Sequence, residues 1–205
     1  MYVPLKFNVD KAASWNAVRD AGAGMLVTQG KLGLQSVFTP VIVSDDQTVL
    51  TAHVARANPW WKEAINGEEV LALFVAASSY VSPSGYPSRH EKPEVVPTWN
   101  YVAVEVRGIL HVHDDYDWVF SQAKDLTAQF EESRDVPWKL AESDENYVEK
   151  LARGIVGIEI TVRAITGKYK LSQNRPDEDR ENVMRSLEEG GMRDQVTARY
   201  MRDSL

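Results

Sequence analysis

The chain has 205 residues, 43% hydrophobic and 26% charged, with no cysteine and a formal net charge of −7. This composition suits one soluble domain with its own core, and the lack of cysteine excludes a disulfide framework, a thiolate metal site and a thiol nucleophile. No apolar run approaches the roughly 20 residues that span a bilayer, and the first residues carry no secretory pattern, so a cytoplasmic protein without membrane contact is expected. In chain order, Asp10 is placed to cap a helix through about Asp20, with Ala12, Ala13, Trp15, Ala17 and Val18 as its apolar side and Gly22 at its end. Short β-type runs at 24–29, 34–43 and 48–54 follow, separated by glycines and by the turn Ser44-Asp45-Asp46-Gln47.

Pro59 opens a short helix through Ile65, ended by Asn66-Gly67, and 70–77 reads as a buried strand. From Ser82 to Pro97 four prolines and Gly85 argue against a regular element and predict a long surface loop, which Ser82, Tyr86 and the preceding Tyr80 mark as more than a spacer. Residues 98–113 alternate, with Val102, Val104 and Val106 opposite Tyr101, Glu105 and Arg107, as a half-buried strand requires. A helix over 114–132 carries Trp118, Phe120, Ala123, Leu126 and Phe130 on its apolar positions. A second helix is expected over 146–153, strand character returns over 155–165, and a linker at 174–177 leads into C-terminal helices. Strands interrupted by helices without one-to-one alternation point to an α+β antiparallel barrel with peripheral helices. The expected division is a barrel domain over 1–175 and a helical extension over 176–205.

Three distant segments concentrate donors and aromatics beside strand ends: 52–59 with His53, Arg56 and Asn58; 97–101 with Thr98, Trp99 and Asn100; and 167–175 with Lys168, Lys170, Ser172, Gln173 and Arg175. Guanidinium, amide and indole groups of this kind suit a flat phosphorylated ligand. Each has a plainer reading beside it. Arg56 would make a surface ion pair while Asn58 caps the helix after Pro59. Trp99 would fill the core while Asn100 fixes the loop, and the lysines would guard a strand edge. His111 and His113 near Asp114 and Asp115 form too weak a set for a metal, and no metal is expected. The arginines of the last helices, Arg185, Arg193, Arg199 and Arg202, are diluted by Glu188, Glu189, Asp194 and Asp203, so DNA contact has little support from charge.

The runs Ala55-Arg56-Ala57-Asn58-Pro59, Pro97-Thr98-Trp99-Asn100-Tyr101, Gly154-Ile155-Val156-Gly157 and Lys170-Leu171-Ser172-Gln173-Asn174, with Met1-Tyr2-Val3-Pro4, also carry a resemblance. The chain resembles the PaiB family, negative transcriptional regulators with a flavin-binding split-barrel fold related to pyridoxamine phosphate oxidases and flavin reductases. The resemblance implies a homodimer holding FMN in the clefts between subunits. On matching positions it implies His53, Arg56 and Asn58 on the phosphate side, Thr98, Trp99 and Asn100 on the ring side, and Lys168, Ser172 and Gln173 closing the site. Phe38 and Gly85 stand where the family pattern has a histidine and a tryptophan, which makes the cleft less polar and less enclosed. A small flavin-dependent oxidoreductase and a cofactor-free regulatory dimer are the alternative readings, and no catalytic acid or base is assigned.

Overall fold

Seven strands and six α-helices appear in the computed structural model, which describes residues 1–91 and 93–204. The chain groups into two compact units: one made of 1–21, 74–105 and 166–204, the other of 22–73 and 106–165. Strands β1 (Ala23–Gly30), β2 (Gly33–Pro40), β3 (Ile42–Val43), β4 (Val49–Ala55), β5 (Glu69–Val81), β6 (Thr98–His113) and β7 (Ile155–Lys170) form one sheet in the order β2-β1-β5-β6-β7-β4-β3. The pairings of β1 with β2 and β5, of β3 with β4 and of β4 with β7 are antiparallel.

Within the unit of 22–73 and 106–165 the sheet closes on itself. β2 and β3 sit at opposite ends of the strand order yet are joined by the single residue Val41, whose N–H donates to Gly22 O at 2.9 Å. Thr39 on β2 donates its hydroxyl to His53 O on β4 at 2.8 Å, across what an open sheet would keep far apart. A barrel is the only arrangement that satisfies both, and it leaves few open edges. Its interior takes Leu26, Leu50, Ala52, Val54, Val106, Leu110, Val156, Ile158 and Ile160, all buried. The turn between β3 and β4 is held by Asp46, whose carboxylate accepts from the Ser44 and Thr48 hydroxyls at 2.6 and 2.8 Å. Those bonds keep its pKa below the ordinary aspartate value.

Helix α3 (Tyr116–Glu131) begins where Asp115 accepts the Trp118 N–H at 2.9 Å, and α4 (Glu145–Ala152) where Asp144 accepts from Tyr147 N at the same distance. Trp118 lies flat on His113, with ring centroids 4.1 Å apart and planes 6° from parallel. The tryptophan fits there because Gly157 has no side chain: a Cβ would fall 2.2 Å from Trp118 Cζ3.

In the unit of 1–21, 74–105 and 166–204, α1 (Lys11–Ala21), α5 (Asp177–Glu188) and α6 (Met192–Asp203) pack with the remaining parts of β5, β6 and β7. Phe7, Trp15, Val18, Phe74, Tyr86, Val102, Leu171 and Met201 are buried there. Tyr169 Oη donates to Ala13 O at 2.8 Å, and burial first, then Asp20 and Asp10, pushes its pKa up to about 12. Asp20 ties α1 to α6, accepting from Tyr200 Oη at 2.6 Å and from Arg199 Nη2 at 2.9 Å. Burial and the bond to Asp20 raise the Tyr200 pKa.

Three expectations change in detail. The helix after Pro59 is a single turn, α2 (Trp60–Glu63), because Ala64 turns extended and bridges Gly30. The last strand continues past Ile165 to Lys170, where α1 approaches the bare backbone of Gly167: a Cβ there would meet Ser14 Oγ at 2.3 Å. The proline-rich segment at 82–97 contains two 3-10 turns, Pro83–Gly85 and Pro87–His90, and between them Tyr86 is completely buried. It is anchored rather than a free excursion, since Ser88 donates its N–H and its hydroxyl to the buried Asp179 at 3.0 and 2.7 Å. Residue 92 of this segment lies outside the described residues.

Candidate functional site

Six of the nine residues expected at the site lie in the unit of 1–21, 74–105 and 166–204, where the start of β6 meets the end of β7. Chain alternation sends Lys168 and Lys170 to one side of β7, and Ser172 follows the strand end at a left-handed turn. Lys170 Nζ donates to Thr98 Oγ1 and to Trp99 O, both at 2.6 Å. Ser172 Oγ donates to Asn100 Oδ1 at 3.1 Å, and Asn100 Nδ2 reaches Met201 Sδ at 3.4 Å. Asn100 is wholly buried and Ser172 nearly so, so both act as a buried pin between strand ends. Gln173 spends its amide locally, accepting from Leu171 N at 2.7 Å and donating to Tyr169 O at 2.6 Å. The chain turns at Ser172 with φ of +66°, a left-handed conformation that the two side-chain bonds hold in place.

Trp99 is 44% exposed, which places it outside the core. Its Nε1 donates to Ser78 Oγ at 2.8 Å, Tyr80 meets it edge-on at 6.0 Å, and the Arg193 guanidinium lies 5.9 Å from its centroid. An indole with its polar atom satisfied and its ring still partly open suits a planar partner. In the same unit a cavity of about 310 Å³, which the Trp99 ring does not line, is bounded by Thr98, Lys170, Ser172, Asn174, Arg175 and Lys6 over the apolar side chains of Phe7, Val96 and Pro97. Burial first, and then the charges of Lys168 and Arg175, lower the Lys170 pKa.

The other three expected residues lie at the end of β4, in the unit of 22–73 and 106–165, and each has a protein partner. His53 Nδ1 is hydrogen-bonded to the Gln122 side-chain amide, 2.7 Å from Oε1. Arg56 donates Nε to Arg153 O at 2.7 Å and Nη2 to Ile155 O at 3.2 Å, and Nη2 also lies 2.6 Å from Asp114 Oδ1. Asn58 Oδ1 accepts from Trp60 N at 3.0 Å, at the entrance to α2. Arg56 thus ties the end of β4 to the start of β7 and to Asp114, with the carboxylate already facing it.

Lys170 and Arg175 stand in the site more directly than Gln173 does. The concentration of donors over 167–175 carried that signal for Lys170. Arg175 lies beyond the strand, where only its neighbours in the run marked it. Of the late arginines, Arg202 pairs with Glu188, Arg199 with Asp20, and Arg193 Nε donates to Ser78 O at 2.6 Å. Among the described residues no group of three or more histidine, cysteine or acidic side chains is placed to hold a metal, and no helix is long and apolar enough to cross a membrane.

Residues 1–164 match the family described as "Putative FMN-binding domain". The chain is 35% identical over 191 residues to the protease synthase and sporulation protein PAI 2 of Bacillus subtilis, covering 92% of this chain and 89% of that one. Among solved structures it is similar to the FAD and heme binding protein of Mycobacterium smegmatis (TM-score 0.61, 14% identity, 85% of this chain and 78% of that one). It is also similar to the flavocytochrome Anf3 of Azotobacter vinelandii (TM-score 0.56, 10% identity, 83% and 72%). At such identities the likeness concerns the fold, a flavin-protein split barrel.

Proposed function

Since this chain belongs to the FMN-binding domain family and has a PaiB-type relative along nearly its whole length, we propose that it is an FMN-binding negative regulator of the PaiB kind, working as a homodimer with the flavin at the subunit interface. FMN is the cofactor that the family implies, and the residues fit it. Trp99 offers a partly open aromatic ring, and in the same unit the cavity lined by Thr98, Lys170 and Arg175 offers cations for a phosphate. That cation-lined cavity carries the reading, and Trp99, on the other face of β6 from Thr98, is the ring contact it calls for. Asn100, Ser172 and Gln173 position the two strand ends from beneath, because their polar atoms are bonded within the protein.

The dimer draws on a row of apolar side chains. Register places Phe38 of β2 opposite Met25 of β1, and Met25 opposite Leu73 of β5. Phe38 is 66% exposed, with Met25 and Leu73 also open, which is a costly surface unless a second copy covers it. Regulation would follow from flavin-dependent pairing of subunits, since Arg193, Arg199 and Arg202 of α6 are engaged within the protein rather than gathered for a phosphate backbone.

Fluorescence titration with FMN and analytical ultracentrifugation test both halves. Trp99→Ala is expected to weaken FMN about 3- to 10-fold, the range of one aromatic contact, and Phe38→Asp to shift dimer to monomer. A wild-type protein that takes up no FMN, or that sediments as a monomer with and without it, overturns the reading.

A further inference from the structure

Helices α3 and α4 pack on each other, but little of either is buried. α3 buries Val119 and Gln122 and α4 buries Ala152, where the Arg153 guanidinium lies 4.9 Å from the centroid of Tyr116. Further along the pair, apolar side chains outrun the protein available to cover them. Phe130 near the end of α3, Val136 and Trp138 in the connection, and Tyr147 and Leu151 on α4 are all exposed, Val136 to 84%. Tyr147 and Leu151, four residues apart, share one face of α4. Trp138 is held at the end of α3 by its N–H, which donates to Glu131 Oε2 at 2.9 Å. Single exposed apolar residues are ordinary on a protein surface, but five within the 22 residues of 130–151, an indole and a phenol among them, are a concentration.

The charge around them is one-sided. Residues 125–149 carry eight carboxylates and two cations, so this segment holds −6 of the chain's −7 and the rest is nearly neutral. Of the two cations, Arg134 is taken by Glu131 at 3.1 Å. Glu131, Glu142 and Asp144 accept from the hairpin's own backbone, and Glu149 pairs with Arg153. Among the described residues Asp125, Glu132, Asp135 and Glu145 are exposed and make no ion pair. This combination selects its occupant. Nucleic acid and an anionic lipid surface are repelled by it. A second copy docking through the same face would set like charges against each other. A segment with an apolar stripe flanked by lysines or arginines covers the rings and neutralises the carboxylates together.

We propose that the α3–α4 hairpin is a docking face for a basic amphipathic segment of another protein, with Trp138, Tyr147 and Leu151 as its apolar anchors and Asp125, Glu132, Asp135 and Glu145 as the partners of the incoming cations. Tryptophan and tyrosine are the residue types in which binding energy most often concentrates, and a rim of one sign speeds encounter with a partner of the other. The inference stands apart from the flavin reading, since neither the cavity at the end of β7 nor the row of Phe38, Met25 and Leu73 enters it.

Fluorescence anisotropy of a labelled helical peptide, leucine on one face and lysine on the other, tests this on the full chain. Two further peptides, with glutamate for lysine and with serine for leucine, separate the charged from the apolar share. Wild type should bind the leucine–lysine peptide at least tenfold more tightly than either, and less tightly as salt rises. Tyr147→Ser/Leu151→Ser and Glu132→Lys/Asp135→Lys should each lose at least tenfold. Glu94→Lys/Glu181→Lys, which alters net charge equally outside the hairpin, should stay within about twofold of wild type. Circular dichroism reports the fold of each variant, and the charge variant keeps the test open should the serine variant unfold. An equal loss in Glu94→Lys/Glu181→Lys reduces the attraction to overall charge and overturns the proposal. So does a wild type that does not bind the leucine–lysine peptide, or hairpin variants that bind it as tightly as wild type. Sedimentation covers the remaining occupant: a wild-type dimer that Tyr147→Ser/Leu151→Ser converts to monomer assigns the face to a second copy and overturns the proposal as well.

Discussion

Ser172 allows the pinned end of β7 to be tested quantitatively. Its hydroxyl donates to the buried Asn100 Oδ1, and its φ is +66°. Ser172→Ala removes the hydrogen bond and leaves Asn100 Oδ1 unmet in a buried place, at a cost of about 1–3 kcal/mol. It leaves the left-handed strain untouched, because alanine pays the same cost as serine there. Ser172→Gly loses the same bond but escapes that strain, about 1–2 kcal/mol, against about 0.4–1 kcal/mol of extra freedom in the unfolded chain. The glycine variant should therefore be the more stable of the two by about 0.5–1 kcal/mol. Both should lie below wild type or, for glycine, close to it. Urea unfolding at matched slopes measures this, and a double-mutant cycle with Asn100→Ala should give a coupling of about 0.5–1.5 kcal/mol. Alanine equal to or above glycine in stability, or a coupling of zero, would refute the account of a strained turn held by a buried serine–asparagine bond.

Gly157→Ala should cost more than 2 kcal/mol and lower Tm in thermal unfolding, because the new Cβ falls within 2.2 Å of Trp118 and displaces its stack on His113. An unchanged Tm would contradict the close approach. Tyr169 titrates near 10 in the unfolded chain and about 12 in the folded one, so its contribution is complete below pH 10 and fades as pH rises towards 12. The full loss is on the order of 3 kcal/mol. Tyr169→Phe should accordingly show a shallower fall of stability over that window than wild type, as followed by denaturant midpoints at pH 9, 10 and 11. Arg56→Ala should lower stability by about 1–2 kcal/mol, through its bonds to two carbonyls, and leave FMN affinity within about twofold of wild type. A tenfold loss of FMN binding in this variant would restore Arg56 as a ligand contact.

The long alternating runs were the most legible part of the sequence. The strand over 98–113 falls on the expected residues because Val102, Val104 and Val106 bury one face while Arg107 and Tyr101 leave the other less covered. The helix from 116 to 131 was marked by its apolar spacing and by the acidic residues at its start. The barrel itself was expected, but not the place of its closure, which depends on one residue, Val41, carrying the chain from one end of the strand order to the other. The burial of Tyr86 was equally hidden: prolines announced irregular backbone, but Ser88 and Asp179, ninety-one residues apart, decide where that backbone is fastened. At the site, residue chemistry was readable and allegiance was not. An arginine looks the same in sequence whether it faces Asp114, as Arg56 does, or a tyrosine ring, as Arg175 does.

The clasp of Asp20 by Arg199 and Tyr200, with Ser79 bonded to Thr197 and Asn100 to Met201, has a bearing on biosynthesis. The barrel unit has all its residues once position 165 has left the ribosome, whereas the neighbouring unit, assembled from three separated stretches, waits for its last helix. Until that helix arrives, the hydroxyl of Ser79, the amide of Asn100 and the carboxylate of Asp20 lack their partners. A nascent chain stalled just short of α6 would thus pair a finished barrel with an open, sticky half, a natural substrate for a chaperone.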